Sequence, residues 1–172
     1  MIDTPVIETE RLFLRMPSAD DLPALMAFLG SDRSRFYGGP YDAPAAWQRV
    51  AAYTGQWILR GYGMFAVTLR GTGETVGMAG PVHPSHFPEP EMSWLLTDAR
   101  YEGKGYASEA CSAVLGFLFD KLGWASTVSF VDHDNASSRA LALRLGAQPD
   151  PDTQAEIANC ETFRHTAEGL IR

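Results

Sequence analysis

The stretch Arg100-Tyr-Glu-Gly-Lys-Gly-Tyr-Ala107 lies between an apolar run, Met92 to Leu96, and a long helical pattern. Glycines at 103 and 105 permit positive φ and close approach of a ligand, so successive N–H groups can point at one anion. A helix opening near Tyr106 adds the partial positive charge of its N-terminus. Arg100 and Lys104 supplement it with full charges. The stretch reads as a phosphate cradle, and its neighbours narrow the choice of phosphate. A nucleoside triphosphate loop needs Lys-Ser/Thr directly after its last glycine, whereas Tyr106 and Ala107 follow Gly105. The dinucleotide fingerprint fits two of three positions, Gly103-x-Gly105-x-x-Ser108. Its glycines come six or more residues after Leu96, too far for a tight strand-to-helix turn, and Asp132 stands 27 residues after Gly105 where a spacing of roughly 20 is usual.

The elements that would hold this loop follow from periodicity. Arg11-Leu-Phe-Leu-Arg15 alternates as a half-buried strand does. Ser18-Ala-Asp-Asp21 opens a helix that ends at Gly30. Residues 31–44 form a turn-rich loop carrying Phe36, Tyr37 and Tyr41, which packs onto the core or walls a binding site. Ala45 to Arg60 is a second helix. Met64 to Leu69 and Thr75 to Val82 are strands joined by the turn at residues 70–73. Residues 81–90 hold four prolines and fall outside regular structure, with His83 and His86 as loop histidines that could titrate usefully. Glu91 to Leu96 is the next strand. Ala107, Ala110, Cys111, Val114, Leu115 and Leu118 form one face of a helix closed by Gly123. Thr127 to Val131 is a β-branched strand, Asn135 to Leu145 a helix, and two strands are expected at 155–159 and 161–165. The order implies one mixed α/β domain spanning residues 1–172.

Composition excludes other classes. A net charge of −7, with 14 basic residues scattered, argues against nucleic acid. No apolar run approaches the ~20 residues a membrane span requires, and the N-terminus lacks the order of a signal peptide; the expected location is cytoplasmic, with no membrane partner. Cys111 and Cys160 suggest no zinc spacing, and no metal is expected.

Arg100-x-x-Gly103-x-Gly105 resembles the pyrophosphate-binding signature of the GNAT acetyltransferase superfamily. Glu8-Thr-Glu-Arg-Leu-Phe-Leu-Arg15 is similar to the opening strand of its ribosomal-protein N-terminal acetyltransferase subgroup (the RimJ/RimL type). Glu91-Met-Ser-Trp-Leu-Leu96 is similar to that subgroup's fourth strand. Val131-Asp-His-Asp-Asn135-Ala-Ser-Ser138, followed by Leu145-Gly146, resembles its fifth strand and the next helix, and Thr162-Phe-Arg-His165 its last strand. These matches, in order, cover nearly the whole chain.

The resemblance implies a strongly twisted mixed sheet of about seven strands with helices on both faces, and acetyl-CoA as co-substrate. It places the pyrophosphate on Arg100, Tyr101, Glu102, Gly103, Lys104, Gly105, Tyr106 and Ala107. The pantetheine arm would lie against the backbone of Trp94, Leu95 and Leu96 in a gap opened by a bulge, although Ser93 stands where the subgroup usually has Gly. The Leu95 N–H would polarise the thioester carbonyl. Asn135, which is also a natural helix cap, would contact the cofactor arm. Ser138 would protonate the leaving sulfur, since Ala142 stands where many relatives have Tyr. Glu91 is the first candidate for general base; its plain alternative is an exposed strand-end carboxylate. Neither cysteine has an evident base partner, which agrees with direct transfer to a primary amine, on a protein N-terminus or a small molecule. The alternative is a non-catalytic CoA-binding module on the same fold. Relatives are monomers or homodimers.

Overall fold

The structure, a computed structural model, describes residues 4–171; Met1 to Asp3 and Arg172 lie outside the described residues. Eight strands form one sheet: β1 (Ile7–Glu8), β2 (Leu12–Arg15), β3 (Phe65–Leu69), β4 (Thr75–Val82), β5 (Glu91–Leu96), β6 (Ser126–Asp132), β7 (Gln148–Pro149) and β8 (Cys160–Thr166). Their spatial order is β1-β2-β3-β4-β5-β6-β8-β7. The helices are α1 (Leu22–Leu29), α2 (Ala43–Arg60), α3 (Tyr106–Asp120) and α4 (Ala136–Arg144).

The α/β class is as expected, with one strand more than the sequence implied. The expected strand at 155–159 is irregular chain; Gln148–Pro149 pairs with β8 at the sheet edge instead. Asn159 has a positive φ of 62°, which breaks any extended run. The expected strand from Thr75 to Val82 is β4, so Pro81 and Val82, which the sequence also counted in the proline-rich stretch 81–90, belong to the strand. Pro81 is tolerated because β3 already ends opposite Ala79, so no ladder partner waits on that side for the missing N–H.

Two apolar layers cover the sheet. Leu25, Phe28 and Leu29 of α1 and Val50 and Tyr53 of α2 pack with Met78 and Leu95 on one face. Cys111, Val114, Leu115 and Leu118 of α3 and Leu141 and Ala142 of α4 pack with Met92, Trp94 and Phe163 on the other. The alternation Met92/Trp94 against Leu95 shows β5 running as a regular two-faced strand.

One join in the sheet is nearly empty. β5 and β6 run parallel and register only at Glu91↔Val128, after which they diverge. Side chains close the point of divergence: Thr127 Oγ1 donates to Pro90 O at 2.7 Å and Ser129 Oγ donates to Met92 O at 2.5 Å. Because Ser129 has one hydroxyl proton, the 2.9 Å contact from His165 Nε2 must be Nε2–H donating to Ser129 Oγ. Ser129 and His165 are fully buried. Ser129→Ala strands the Met92 carbonyl and the His165 N–H, so we expect it to cost about 1–3 kcal/mol, measured by denaturant unfolding; an unchanged midpoint would mean that this pin does not hold the join.

Candidate active site

The divergence of β5 from β6 opens a cleft of about 990 Å³, lined by residues from both faces of the sheet. Glu91, Trp94, Asn135 and Ser138 share its wall with Ser93. Leu95, Leu96 and residues 100–107 do not line it. Phe36, Tyr37, Arg49, Tyr53 and His83 do, and among these only the loop aromatics and His83 were singled out from sequence.

Main-chain direction along β5 can be worked out from three contacts. Thr97 N–H donates to Val76 O of β4. Leu95 O lies so near Gly77 that a Cβ there would sit 2.2 Å from it. Met92 O takes the Ser129 hydroxyl of β6. Main-chain groups of successive strand residues point alternately to the two neighbours. Odd positions therefore face β4, and Met92, Trp94 and Leu96 face the gap. The β4–β5 register is unbroken from Gly77↔Leu96 to Val82↔Glu91, so the expected bulge is not in this ladder. The amide expected of Leu95 is turned to β4, and the gap-facing positions are its neighbours.

Glu91 is not the exposed strand-end carboxylate that its position allowed. It is buried, and removal from water raises its pKa to about 8, against the opposing pull of the Phe130 amide and of Arg49. A carboxyl titrating there can exchange a proton with an α-amine, whose pKa lies near 8. Ser138 Oγ accepts from Trp94 Nε1 at 3.2 Å and donates to no protein acceptor among the described residues, which leaves its proton available to the cleft. Asn135 fixes this arrangement: its Oδ1 accepts from the Ser138 N–H at 3.1 Å as the cap of α4. His83 is held neutral. Burial and the nearby Arg60 lower its pKa, against its bond to the Phe87 carbonyl; Nε2 donates to Phe87 O, and Nδ1 accepts from Tyr62 at 2.6 Å. The His86 ring lies edge-on to Phe87. Burial raises both thiols, Cys160 to about 11, and neither is poised as a nucleophile.

The glycine loop stands beyond the C-terminal end of β5, at the head of α3. Gly103 and Gly105 have φ of 69° and 80°, and the first turn of α3 carries no side-chain cap, so its N–H groups are free to meet an anion. A Cβ on Gly103 would meet no protein atom within 4 Å; the space beside it is open. These features fit a pyrophosphate. The side chains contribute unequally. Tyr101 is buried in the core, Glu102 pairs with Arg33 at 2.7 Å, and Arg100 is held by Glu74 at 2.7 Å. Arg11, read from sequence only as part of a strand, donates to Lys104 O at 2.9 Å, pairs with Glu109 at 2.6 Å and covers the Tyr106 ring. No local spacing could have joined Arg11 to a loop so far along the chain.

No helix among the described residues is long and apolar enough to cross a membrane, and no cluster of three or more His, Cys, Asp or Glu among them could hold a metal ion.

Glu91 yields a stability prediction. Its native pKa is raised above the unfolded value, so the native state binds the extra proton between about 4.5 and 8. Stability is fully present below that range and falls as pH rises through it. Glu91→Gln should therefore gain in melting temperature over the wild type on going from pH 5 to pH 9. A constant difference across that range would mean that Glu91 is not desolvated.

A family model described as an acetyltransferase (GNAT) domain matches residues 11–148. An acetyltransferase structure from Agrobacterium tumefaciens str. C58 is 36% identical, covers 96% of each chain and superposes with a TM-score of 0.89. The uncharacterized N-acetyltransferase YoaA of Bacillus subtilis (strain 168) is 26% identical over 85% of this chain and 84% of its own. The ribosomal-protein-S5-alanine acetyltransferase of Vibrio fischeri shares the fold, with 16% identity, 98% and 100% coverage and a TM-score of 0.71. A split sheet, an anion-ready helix head and these likenesses converge: the chain belongs to the GNAT acetyltransferase family and is an acetyltransferase enzyme.

Proposed function

We propose that this protein is an acetyl-CoA-dependent N-acetyltransferase of the RimJ/RimL-like subgroup that transfers acetyl directly to a primary amine. The observation that carries this reading is the cleft where β5 leaves β6, with Glu91 and Ser138 both on its wall. The pyrophosphate is assigned to the main chain of residues 102–107 and the uncapped first turn of α3, with Lys104, which pairs with no carboxylate among the described residues, as its cation and Arg100 joining only if it leaves Glu74. The pantetheine arm is assigned to the gap-facing backbone of Trp94 and Leu96 and to the Asn135 amide. One of those two strand N–H groups, in place of Leu95, polarises the thioester carbonyl.

In its ionised form, which grows as pH rises toward about 8, Glu91 removes the proton from the incoming ammonium, directly or through one water. The amine lone pair then forms the C–N bond as the C–S bond breaks, the sulfur leaves with the Ser138 proton, and the proton shed by the newly acylated nitrogen returns to Ser138 Oγ through water in the cleft. Trp94 Nε1–H, by donating to Ser138 Oγ, turns that hydroxyl proton outward and stabilises the oxygen once it has given the proton up. No covalent enzyme intermediate is needed. Both thiols are protonated at neutral pH.

Incubating the protein with acetyl-CoA and a panel of primary amines should release free thiol; saturable binding with no thiol release from any amine would leave a CoA-binding module. Ser138→Ala and Glu91→Gln should each lower turnover, by about tenfold or more for Glu91, with acetyl-CoA affinity kept within a few-fold. Unchanged rates in both would displace the chemistry from this cleft. Gly103→Val should abolish acetyl-CoA binding while the fold persists by circular dichroism, because its side chain would fill the open space beside the loop.

A further inference from the structure

Four arginines are half-buried among the described residues, and three of them meet a carboxylate: Arg15 with Asp21, Arg33 with Glu102, and Arg164 with Glu89 and Asp150. Arg49 does not. It projects from α2 into the cleft, and no acidic oxygen among the described residues lies within 4 Å of it. Its Nη2 donates to the Tyr37 carbonyl at 3.1 Å and to the Tyr41 hydroxyl, and its guanidinium lies over the Tyr41 ring at 5.1 Å. The remaining nitrogens, Nε and Nη1, have no hydrogen-bond partner among the described residues and are not sealed from solvent, on a residue that lines the cleft. A half-buried cation held by neutral oxygens at one nitrogen, with its two other nitrogens left to donate singly, has charge and donors to spare for an anion.

Its position relative to Glu91 defines the anion. Both groups belong to the α1/α2 side of the sheet, too far apart to pair yet close enough for each to feel the other's charge. An amine delivered to Glu91 thus lies beside a guanidinium awaiting its own partner. A polyamine would set a second cation against Arg49, and a peptide N-terminus would bring a neutral amide there. A free α-amino acid brings a carboxylate one carbon from its amine. The cleft wall mixes polar residues such as Gln56, His86 and Glu156 with the apolar Phe36, Leu59, Phe87 and Ile157, and the latter suit an apolar side chain.

We propose that the acceptor is a small α-amino acid with an apolar side chain, its carboxylate bound by Arg49 while its amine meets Glu91. This rests on the acetyltransferase reading of the cleft. The acceptor mouth is then a two-point site, with Glu91 handling the proton and Arg49 setting distance and orientation. Tyr37 and Tyr41 act as positioning residues, because they hold the guanidinium in its plane.

The test compares phenylalanine, phenylalaninamide and phenethylamine as acceptors at saturating acetyl-CoA. We expect phenylalanine to exceed both analogues at least tenfold in kcat/KM. Arg49→Gln should raise its KM at least tenfold and bring it to the level of phenethylamine, with the KM for acetyl-CoA within twofold; Arg49→Lys should recover part of the preference. Equal use of all three acceptors by the wild type, or an Arg49→Gln variant that keeps its preference for the carboxylate, overturns the proposal. Calorimetry on the CoA-loaded protein separates the two readings. Binding of phenylalanine over phenethylamine without any turnover supports the carboxylate site while removing the transferase reading. Indiscriminate binding of the two alongside turnover removes the carboxylate site alone.

Discussion

The sheet depends on one buried hydroxyl. Ser129 accepts from His165 and donates to the Met92 carbonyl, where β5 and β6 retain their single registered pair. On one side of this point the two strands belong to one sheet; on the other they are walls. A parallel pair that simply frayed would leave buried main-chain groups without partners. Substituting side-chain bonds from β6 for ladder bonds lets the strands part at a defined residue. The cleft's position is thereby set by which residue ends the pairing, and Glu91 is that residue.

Alternation along β5 then divides the labour. Side chains at 91, 93 and 95 face α1 and α2, and those at 92, 94 and 96 face α3 and α4. Glu91 therefore lies within electrostatic reach of Arg49 and Tyr53 on one side of the sheet, while Trp94 donates to Ser138 on the other. In the proposed mechanism, proton removal and proton delivery therefore fall to opposite mouths of one passage. Two groups of opposite task are kept from neutralising each other by the period of a β-strand.

Much of this was legible in the sequence where the signal is local. The glycine loop, the apolar stripe of α3 and the Asn135 cap are short-range patterns, and their geometry matches what the residue types require. Trp94 and Ser138 were nameable only through resemblance, since their contact joins a strand to a helix far along the chain. Arg49 and Arg11 were invisible because their meaning lies in what they do or do not touch. The expected strand at 155–159 had no edge to pair with, β7 having taken that place on β8. The direction of Leu95 was missed because residue types alone do not report a strand's main-chain parity.

Arg11 ties the carbonyl of Lys104 and the carboxylate of Glu109 to the start of β2. The loop proposed to hold an anion is thus moored to the N-terminal strands, 93 positions away in sequence. Its ordering cost is met when the N-terminal edge of the sheet docks, before any ligand arrives. With the loop as the proposed donor site, donor binding and the folding of that edge become linked equilibria: whatever loosens the first strands withdraws rigidity from the loop, and whatever fills the loop tightens them in return.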